Sequence, residues 1–81
     1  MRLQLYQRDD CHLCDQALAV LAAVRAPQFD SVFIDGQPAL EAAWGSRVPV
    51  LVAAGGQALE WPFDPPRLRA WLQALPAGSA D

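Results

Sequence analysis

The stretch of sequence that decides the fold is LYQRDDCHLCDQAL, residues 5–18. It joins an alternating polar and apolar run, typical of a β-strand, to an Ala- and Leu-rich run with the spacing of an α-helix. Cys11 and Cys14 lie at this junction and are the only two cysteines in the chain. A pair of cysteines at this spacing can bind a metal, cross-link the fold or carry redox chemistry.

The segments around this junction predict a β-α-β unit. A strand is predicted over 2–7, a helix over 11–26 with Asp10 as its N-cap, and a second strand over 29–35. Three apolar residues follow one another in the second strand, which is typical of a strand covered on both faces. The two strands of such a unit run parallel and are joined by a right-handed crossover.

The second half of the chain predicts a short helix, a hairpin and a final helix. The short helix spans 38–44 with Gly45 as its cap, and Gly55-Gly56 is expected to form a two-residue hairpin turn. Asp64 is the predicted N-cap of the final helix. Four large apolar residues form one stripe of that helix: Leu68, Trp71, Leu72 and Leu75.

These elements together predict an α/β fold with the order β-α-β-α-β-β-α. The fold is a four-stranded mixed sheet flanked by helices on both faces. We expect a single domain over 1–76 and a flexible tail over 77–81. The hydrophobic content of 53% and the charged content of 19% are typical of a globular domain rather than a disordered chain.

The charge and hydropathy of the chain exclude several classes of partner. Six Arg, no Lys and nine acidic residues leave a net charge of −3, so there is no basic surface for nucleic acid or for a membrane. No apolar run approaches the roughly 20 residues that span a bilayer. Because Met1 is followed by a strand pattern rather than an apolar signal segment, we expect a cytoplasmic protein. A monomer is the default expectation for a small acidic domain. Structural disulfides are rare in that compartment, which disfavours the cross-link.

Two motifs identify a family resemblance. CHLC, residues 11–14, follows the first strand, and Val48-Pro49 precedes the third. In these motifs, and over the chain except its tail, the sequence resembles the glutaredoxins. YQRDDCHLCDQA, FID and WGSRVPVL resemble more closely a small glutaredoxin-like family found mainly in bacteria. The resemblance implies a thioredoxin/glutaredoxin-like fold, thiol–disulfide oxidoreductase activity, and a cis bond between Val48 and Pro49 in a loop that shapes the substrate groove.

The implied chemistry gives a role to each residue near the pair. Cys11 would be the nucleophile, because free amides and the helix dipole favour a thiolate at the start of a helix. Cys14, one turn further on and more buried, would attack the mixed disulfide and release the reduced partner. Arg8 would contact a carboxylate of glutathione, and His12, when protonated, would stabilise the thiolate. For both of these the alternative is a solvated surface position.

Two features depart from the glutaredoxin pattern. Asp9 and Asp10, and Asp15 more weakly, oppose thiolate formation through repulsion between like charges. The segment EWPFDPP, 60–66, lacks the Gly-Gly turn that lets glutathione approach the backbone in glutaredoxins, and only Asp64 can replace their acidic residue. Glutathione is therefore left open as a co-substrate, beside protein or small-molecule disulfides and a thioredoxin-type reductase as partners.

Two other functions stay open on the sequence alone. Two thiolates and His12 fall short of the four ligands of a structural zinc site, and no metal site is predicted. An iron–sulfur cluster bound through the cysteines would need two chains and glutathione as a further ligand. The acidic residues near Cys11 and the missing glycines are compatible with a redox-silent binding module of the same fold.

Overall fold

The computed structural model describes residues 3–76 of the chain. The predicted tail, 77–81, lies outside the described residues. Four strands form one mixed sheet in the order β2-β1-β3-β4, and β1 and β2 are its parallel pair. The predicted architecture and element order are therefore confirmed within 3–76. The elements are β1 Leu3–Gln7, α1 His12–Ala23, β2 Phe29–Phe33, α2 Pro38–Trp44, β3 Val50–Ala53, β4 Ala58–Glu60 and α3 Pro65–Ala74.

One face of the sheet carries the main hydrophobic core. Leu5 of β1 is fully buried and belongs to a cluster with Ala17 and Leu21 of α1 and Leu68 of α3. Leu68 is fully buried in this cluster, as the stripe of the final helix predicted. Because burying one leucine side chain stabilises a fold by about 1.5–3 kcal/mol, these contacts hold α1 and α3 on the same face of the sheet.

The opposite face of the sheet is covered by α2. Tyr6 points away from the Leu5 side, because successive side chains of a strand alternate between faces. Its ring stacks on Trp44, the last residue of α2, with ring centroids 5.2 Å apart and planes 13° from parallel. Val50, which lies opposite Tyr6 in the register of β1 and β3, is fully buried. Helices on both faces are therefore confirmed.

The environment of β2 differs from the prediction. The run of apolar residues predicted a strand covered on both faces, and this is wrong. β2 lies at the edge of the sheet and pairs with β1 alone. Phe33 is 44% exposed, whereas Ile34, just past the end of the strand, is fully buried. The apolar run does not reveal the edge position, because pairing order is not encoded in local hydrophobicity.

The start of α1 also differs from the prediction. Asp10 has a positive φ of 52°, whereas an N-cap residue takes an extended conformation. Cys11 has that conformation, with φ −125° and ψ 107°, and its sulfur accepts a hydrogen bond from the amide of Cys14. Asp10 as the N-cap is therefore wrong. The helix ends at Ala23, shortly before Arg25 takes a left-handed φ of 53°.

The hairpin between β3 and β4 has a longer loop than predicted. Residues 54–57 connect the strands, so the two-residue turn is wrong. The amide of Gly56 donates to the carbonyl oxygen of Ala53 at 2.9 Å. The amide of Ala53 donates to the carbonyl oxygen of Gln57 at 2.8 Å. Of the two glycines, only Gly56 has a positive φ, 93°. Both glycines can occur in a two-residue turn and in the longer connection, so their presence alone does not determine the length of the loop.

The two other predicted caps are in their places. Gly45 follows α2 with a right-handed φ of −53°, and a Cβ atom there would collide with the carbonyl oxygen of Glu41. Asp64 caps α3, and its Oδ1 accepts a hydrogen bond from the amide of Arg67 at 2.9 Å. Within residues 3–76, no helix has the length and apolar character needed to cross a membrane.

Candidate active site

The two cysteines form a disulfide at the first turn of α1. Cys11 and Cys14 are bonded through their sulfurs, and their Cα atoms lie 5.2 Å apart. The spacing of three residues brings both side chains to the same side of the helix. Cys11 is partly exposed, whereas Cys14 is only 1% exposed and belongs to the buried interior. The prediction that Cys14 is the more buried of the two is confirmed.

The start of α1 provides a backbone hydrogen-bond donor for the sulfur of Cys11. The amide of Cys14 donates to Sγ of Cys11 at 3.1 Å, and the amide of Asp15 donates to the carbonyl oxygen of Cys11 at 3.1 Å. The first amides of a helix have no partner within the helix, and its dipole is positive at this end. When the disulfide is reduced, both features favour a negative charge on Cys11.

The sheet topology brings three of the predicted site residues, and Asp35 with them, to one end of the molecule. β1 ends before Cys11, and β3, which runs antiparallel to β1, starts immediately after Pro49. β4 runs antiparallel to β3 and ends before Asp64, while β2, parallel to β1, ends before Asp35. These four residues therefore lie at the same end of the sheet.

The loop that carries Pro49 is tightly connected to its neighbours. The peptide bond between Val48 and Pro49 is cis, and Pro49 is fully buried. The carbonyl oxygen of Pro49 accepts a hydrogen bond from the amide of Trp61 at 3.1 Å, and the amide of Val48 donates to the carbonyl oxygen of Trp44 at 3.0 Å. A second cis bond, between Trp61 and Pro62, was not anticipated from the sequence.

Arg8 contacts α2 and the β2–α2 loop rather than the cysteines. Its Nη1 lies 3.5 Å from Oδ1 of Asp35, and its Nη2 donates to the carbonyl oxygen of Gly45 at 3.4 Å. The guanidinium group that the sequence assigned to glutathione is therefore already paired with a carboxylate. Sequence reasoning missed Asp35, although it is the last residue of the FID segment that carried part of the family resemblance.

Asp35 also fixes the chain between β1 and Cys11. Its Oδ2 accepts a hydrogen bond from the amide of Asp9 at 2.8 Å, so one carboxylate contacts two successive residues, Arg8 and Asp9. The amide of Ile34 donates to the carbonyl oxygen of Gln7 at 2.9 Å and extends the contact of β1 with β2. The segment that leads into Cys11 is therefore held against the loop after β2.

A pocket lies beside the N-terminus of α3. It has a volume of about 340 Å³ and is lined by Pro62, Phe63, Asp64 and Arg67. Asp64, which the sequence assigned to substrate binding, uses one carboxylate oxygen to cap the helix. Arg67 was not singled out from the sequence, and it gives the pocket a positive group next to the carboxylate. An open surface with one acidic and one basic group can contact a small zwitterionic ligand.

The other side chains flanking the pair are exposed. His12 is exposed and has no hydrogen-bond partner among the described residues, and Leu13 is 45% exposed. Asp9, Asp10 and Asp15 are exposed as well. Within residues 3–76, no three His, Cys, Asp or Glu side chains are grouped so that they could hold a metal ion.

An ion pair anchors the residue before Val48. Nε of Arg47 donates to Oε2 of Glu60 at 3.0 Å, and the guanidinium group lies over the ring of Trp44, 4.5 Å from its centroid. The hydrogen bond from Arg47 is the largest cause that lowers the pKa of Glu60 from its ordinary value. Desolvation opposes it, and the charge of the guanidinium group lowers the pKa by a smaller amount. The same pair raises the pKa of Arg47.

The chain is similar to known proteins over most of its length. The family model of the glutaredoxin-like domain (DUF836) matches residues 2–73. The X-ray structure of target protein XcR50 from X. campestris is 66% identical, with a TM-score of 0.89 over 91% of this chain and 99% of that one. A solution structure of the same target is 66% identical, with a TM-score of 0.87 over 94% and 97%.

A more distant structure has the same fold. The solution structure of Ne2328 from Nitrosomonas europaea is 28% identical, with a TM-score of 0.72 over 86% of this chain and 88% of that one. No curated protein matches the chain. Since the family model covers nearly all of the residues that build the sheet and its helices, the chain belongs to the glutaredoxin-like domain family.

Proposed function

We propose that the protein is a thiol–disulfide oxidoreductase in which Cys11 is the nucleophile and Cys14 the resolving cysteine. The observation that carries this proposal is the unequal placement of the bonded pair. Cys11 is partly exposed at the start of a helix, whereas Cys14 is 1% exposed behind it. A disulfide substrate can then reach one sulfur, and the other can act only on the mixed disulfide.

The proposed reaction transfers two electrons to the substrate. The Cys11 thiolate attacks one sulfur of the substrate disulfide, whose S–S bond breaks as the first thiol leaves and takes up a proton. Cys14, as a thiolate, then attacks Sγ of Cys11, breaks the mixed disulfide and releases the second thiol. The Cys11–Cys14 disulfide remains and is returned to the dithiol by glutathione or by a thioredoxin-type reductase.

The neighbouring residues have supporting parts in this proposal. Val48 and Pro49 shape the groove in which the substrate lies, and the pocket at Asp64 is where glutathione would bind. His12 stabilises the thiolate when protonated. Arg8 supports the loop rather than the thiolate, since its charge is paired with Asp35. The substrates are protein or small-molecule disulfides, and the protein acts as a cytoplasmic monomer.

The test uses cysteine variants and a neutral substrate, hydroxyethyl disulfide. The reduced wild type should release thiol from this disulfide, and Cys11→Ser should abolish the release. Cys14→Ser should still attack, so mass spectrometry should find the mixed disulfide trapped on Cys11. Equal rates for the wild type and Cys11→Ser would contradict the proposal and favour a redox-silent binding module.

A further inference from the structure

The charges around Cys11 are strongly unbalanced. Asp9, Asp10 and Asp15 are exposed and lie within four residues of Cys11 in the chain. Among the described residues, none of these three carboxylates forms an ion pair with an arginine. The segment around Cys11 therefore carries three exposed carboxylates without an arginine partner among the described residues.

Arg8, the nearest arginine in sequence, does not offset this charge. Asp35 pairs with its guanidinium group at 3.5 Å, and the carbonyl oxygen of Gly45 accepts from it at 3.4 Å. The net charge of this pair is zero. At the pocket beside α3, Asp64 and Arg67 likewise bring one charge of each sign. The formal charges near Cys11 that no arginine pairs with among the described residues are thus the three carboxylates, which oppose the positive end of the helix dipole.

We infer that the site selects disulfides that carry positive charge, and that the Arg8–Asp35 pair is a determinant of this selectivity. The inference rests on the proposed reductase function and deepens it. The natural partner would be a polypeptide with Lys or Arg beside its disulfide, because opposite charges raise the rate of encounter and like charges lower it. Leu13, 45% exposed between the two cysteines, offers an apolar contact for the methylene chains of such residues.

Three small disulfides of different charge test the inference. Cystamine is cationic, hydroxyethyl disulfide is neutral and dithiodipropionate is anionic. The reduced protein is mixed with each at about pH 8, where histidine side chains are largely neutral. Each rate is divided by the rate of the same disulfide with free dithiothreitol, which removes differences in intrinsic reactivity. The measured quantity is the ratio of the normalised cystamine rate to the normalised dithiodipropionate rate.

For the wild type we expect a ratio of at least about fivefold at low salt. The ratio should fall towards one between about 0.01 M and about 1 M salt, as the Debye length shortens from about 30 Å to about 3 Å. Asp10→Asn should lower the ratio at least about twofold, since Asn tolerates the same left-handed backbone and removes one charge. Asp35→Asn should lower the ratio by a similar factor. The side-chain oxygen of the asparagine would still accept from the backbone amide of Asp9, but the positive charge of Arg8 would no longer be neutralised.

Asp30→Asn is the matched control. It removes one negative charge at the start of β2, the end of the sheet opposite Cys11, and should leave the ratio unchanged. The inference is overturned by a low-salt ratio near one, or by equal effects of Asp30→Asn and Asp10→Asn. Reduction of hydroxyethyl disulfide would show in that case that the reductase function stands. If hydroxyethyl disulfide is not reduced either, the proposed function and the inference both fail.

Discussion

The backbone amide of Cys14 donates a hydrogen bond to Sγ of Cys11 at 3.1 Å, so the side chain of Cys11 caps the helix that contains Cys14. Serine, threonine, aspartate and asparagine are the usual residues at this position, where a side-chain oxygen satisfies a free amide. Here the sulfur takes that place, and Asp10 before it is left with a left-handed backbone. The Cys14 amide would therefore also stabilise a thiolate on Cys11 in the reduced protein.

The first prediction concerns the reactivity of the two thiols. When the reduced protein is treated with limiting iodoacetamide, Cys11 should be alkylated at least about tenfold faster than Cys14. The reason is that Cys14 is 1% exposed, whereas Cys11 is partly exposed and lies next to free helix amides. Peptide mapping by mass spectrometry measures the ratio. In urea-unfolded protein the two rates should be similar, and similar rates in the folded protein would contradict the assignment.

The second prediction compares two leucines of opposite exposure. Leu51 is fully buried in the core cluster, so Leu51→Ala should lower the free energy of unfolding by about 2–5 kcal/mol. Leu13→Ala removes the same atoms from a side chain that is 45% exposed. It should change the free energy of unfolding by less than about 0.5 kcal/mol. Urea titration of both reduced variants measures the difference. Equal losses would show that the core does not lie where the sheet and α1 meet.

The order of the elements could be predicted because each depends on local patterns. The alternation in β1, the helical spacing of α1 and the Asp64-Pro65 start of α3 all lie within a few residues of sequence. The cysteine pair and Val48-Pro49 were likewise found from short motifs. Their meeting at one end of the sheet depends on the strand order, which no local pattern predicts.

The parts that could not be predicted depend on distant contacts or on unusual chemistry. The hydrogen bond between Asp35 and the Asp9 amide joins residues 26 apart, and no local pattern indicates it. The edge position of β2 is a matter of strand pairing, so its apolar run was misread. Cys11 was not recognised as the cap because side-chain oxygen, rather than sulfur, is the usual acceptor there.

The third prediction separates two roles of Asp64. Its Oδ1 accepts from the amide of Arg67, so Asp64→Ala should lower the free energy of unfolding by about 1 kcal/mol. Asp64→Asn keeps an acceptor for the cap but removes the charge, and its stability should stay close to that of the wild type. If glutathione binds in the adjacent pocket, Asp64→Asn should raise KM for glutathione with little change in kcat. Urea titration and steady-state kinetics measure the two effects, and a large loss of stability in Asp64→Asn would contradict the cap assignment.

The last prediction is a pH dependence of stability at the Arg47–Glu60 pair. The fold lowers the pKa of Glu60 below its ordinary value of 4.5, chiefly through the hydrogen bond from Arg47. The pair therefore stabilises the protein above about pH 4.5, and this contribution is lost as the pH falls through the folded-state pKa. Glu60→Gln should lower stability at neutral pH and flatten the acid side of the stability curve.

Two observations check that the effect comes from this pair. High salt should reduce the difference between Glu60→Gln and the wild type, because both side chains are exposed to solvent. Asp15→Asn, at an exposed carboxylate that pairs with no arginine among the described residues, should keep the steepness of the acid curve. Melting temperatures of the wild type and both variants, measured from neutral to acid pH, show whether the acid slope depends on Glu60. An unchanged acid slope in Glu60→Gln would mean that the ion pair does not hold the Arg47 segment, and the loop of Val48 and Pro49 would then depend on its backbone hydrogen bonds alone.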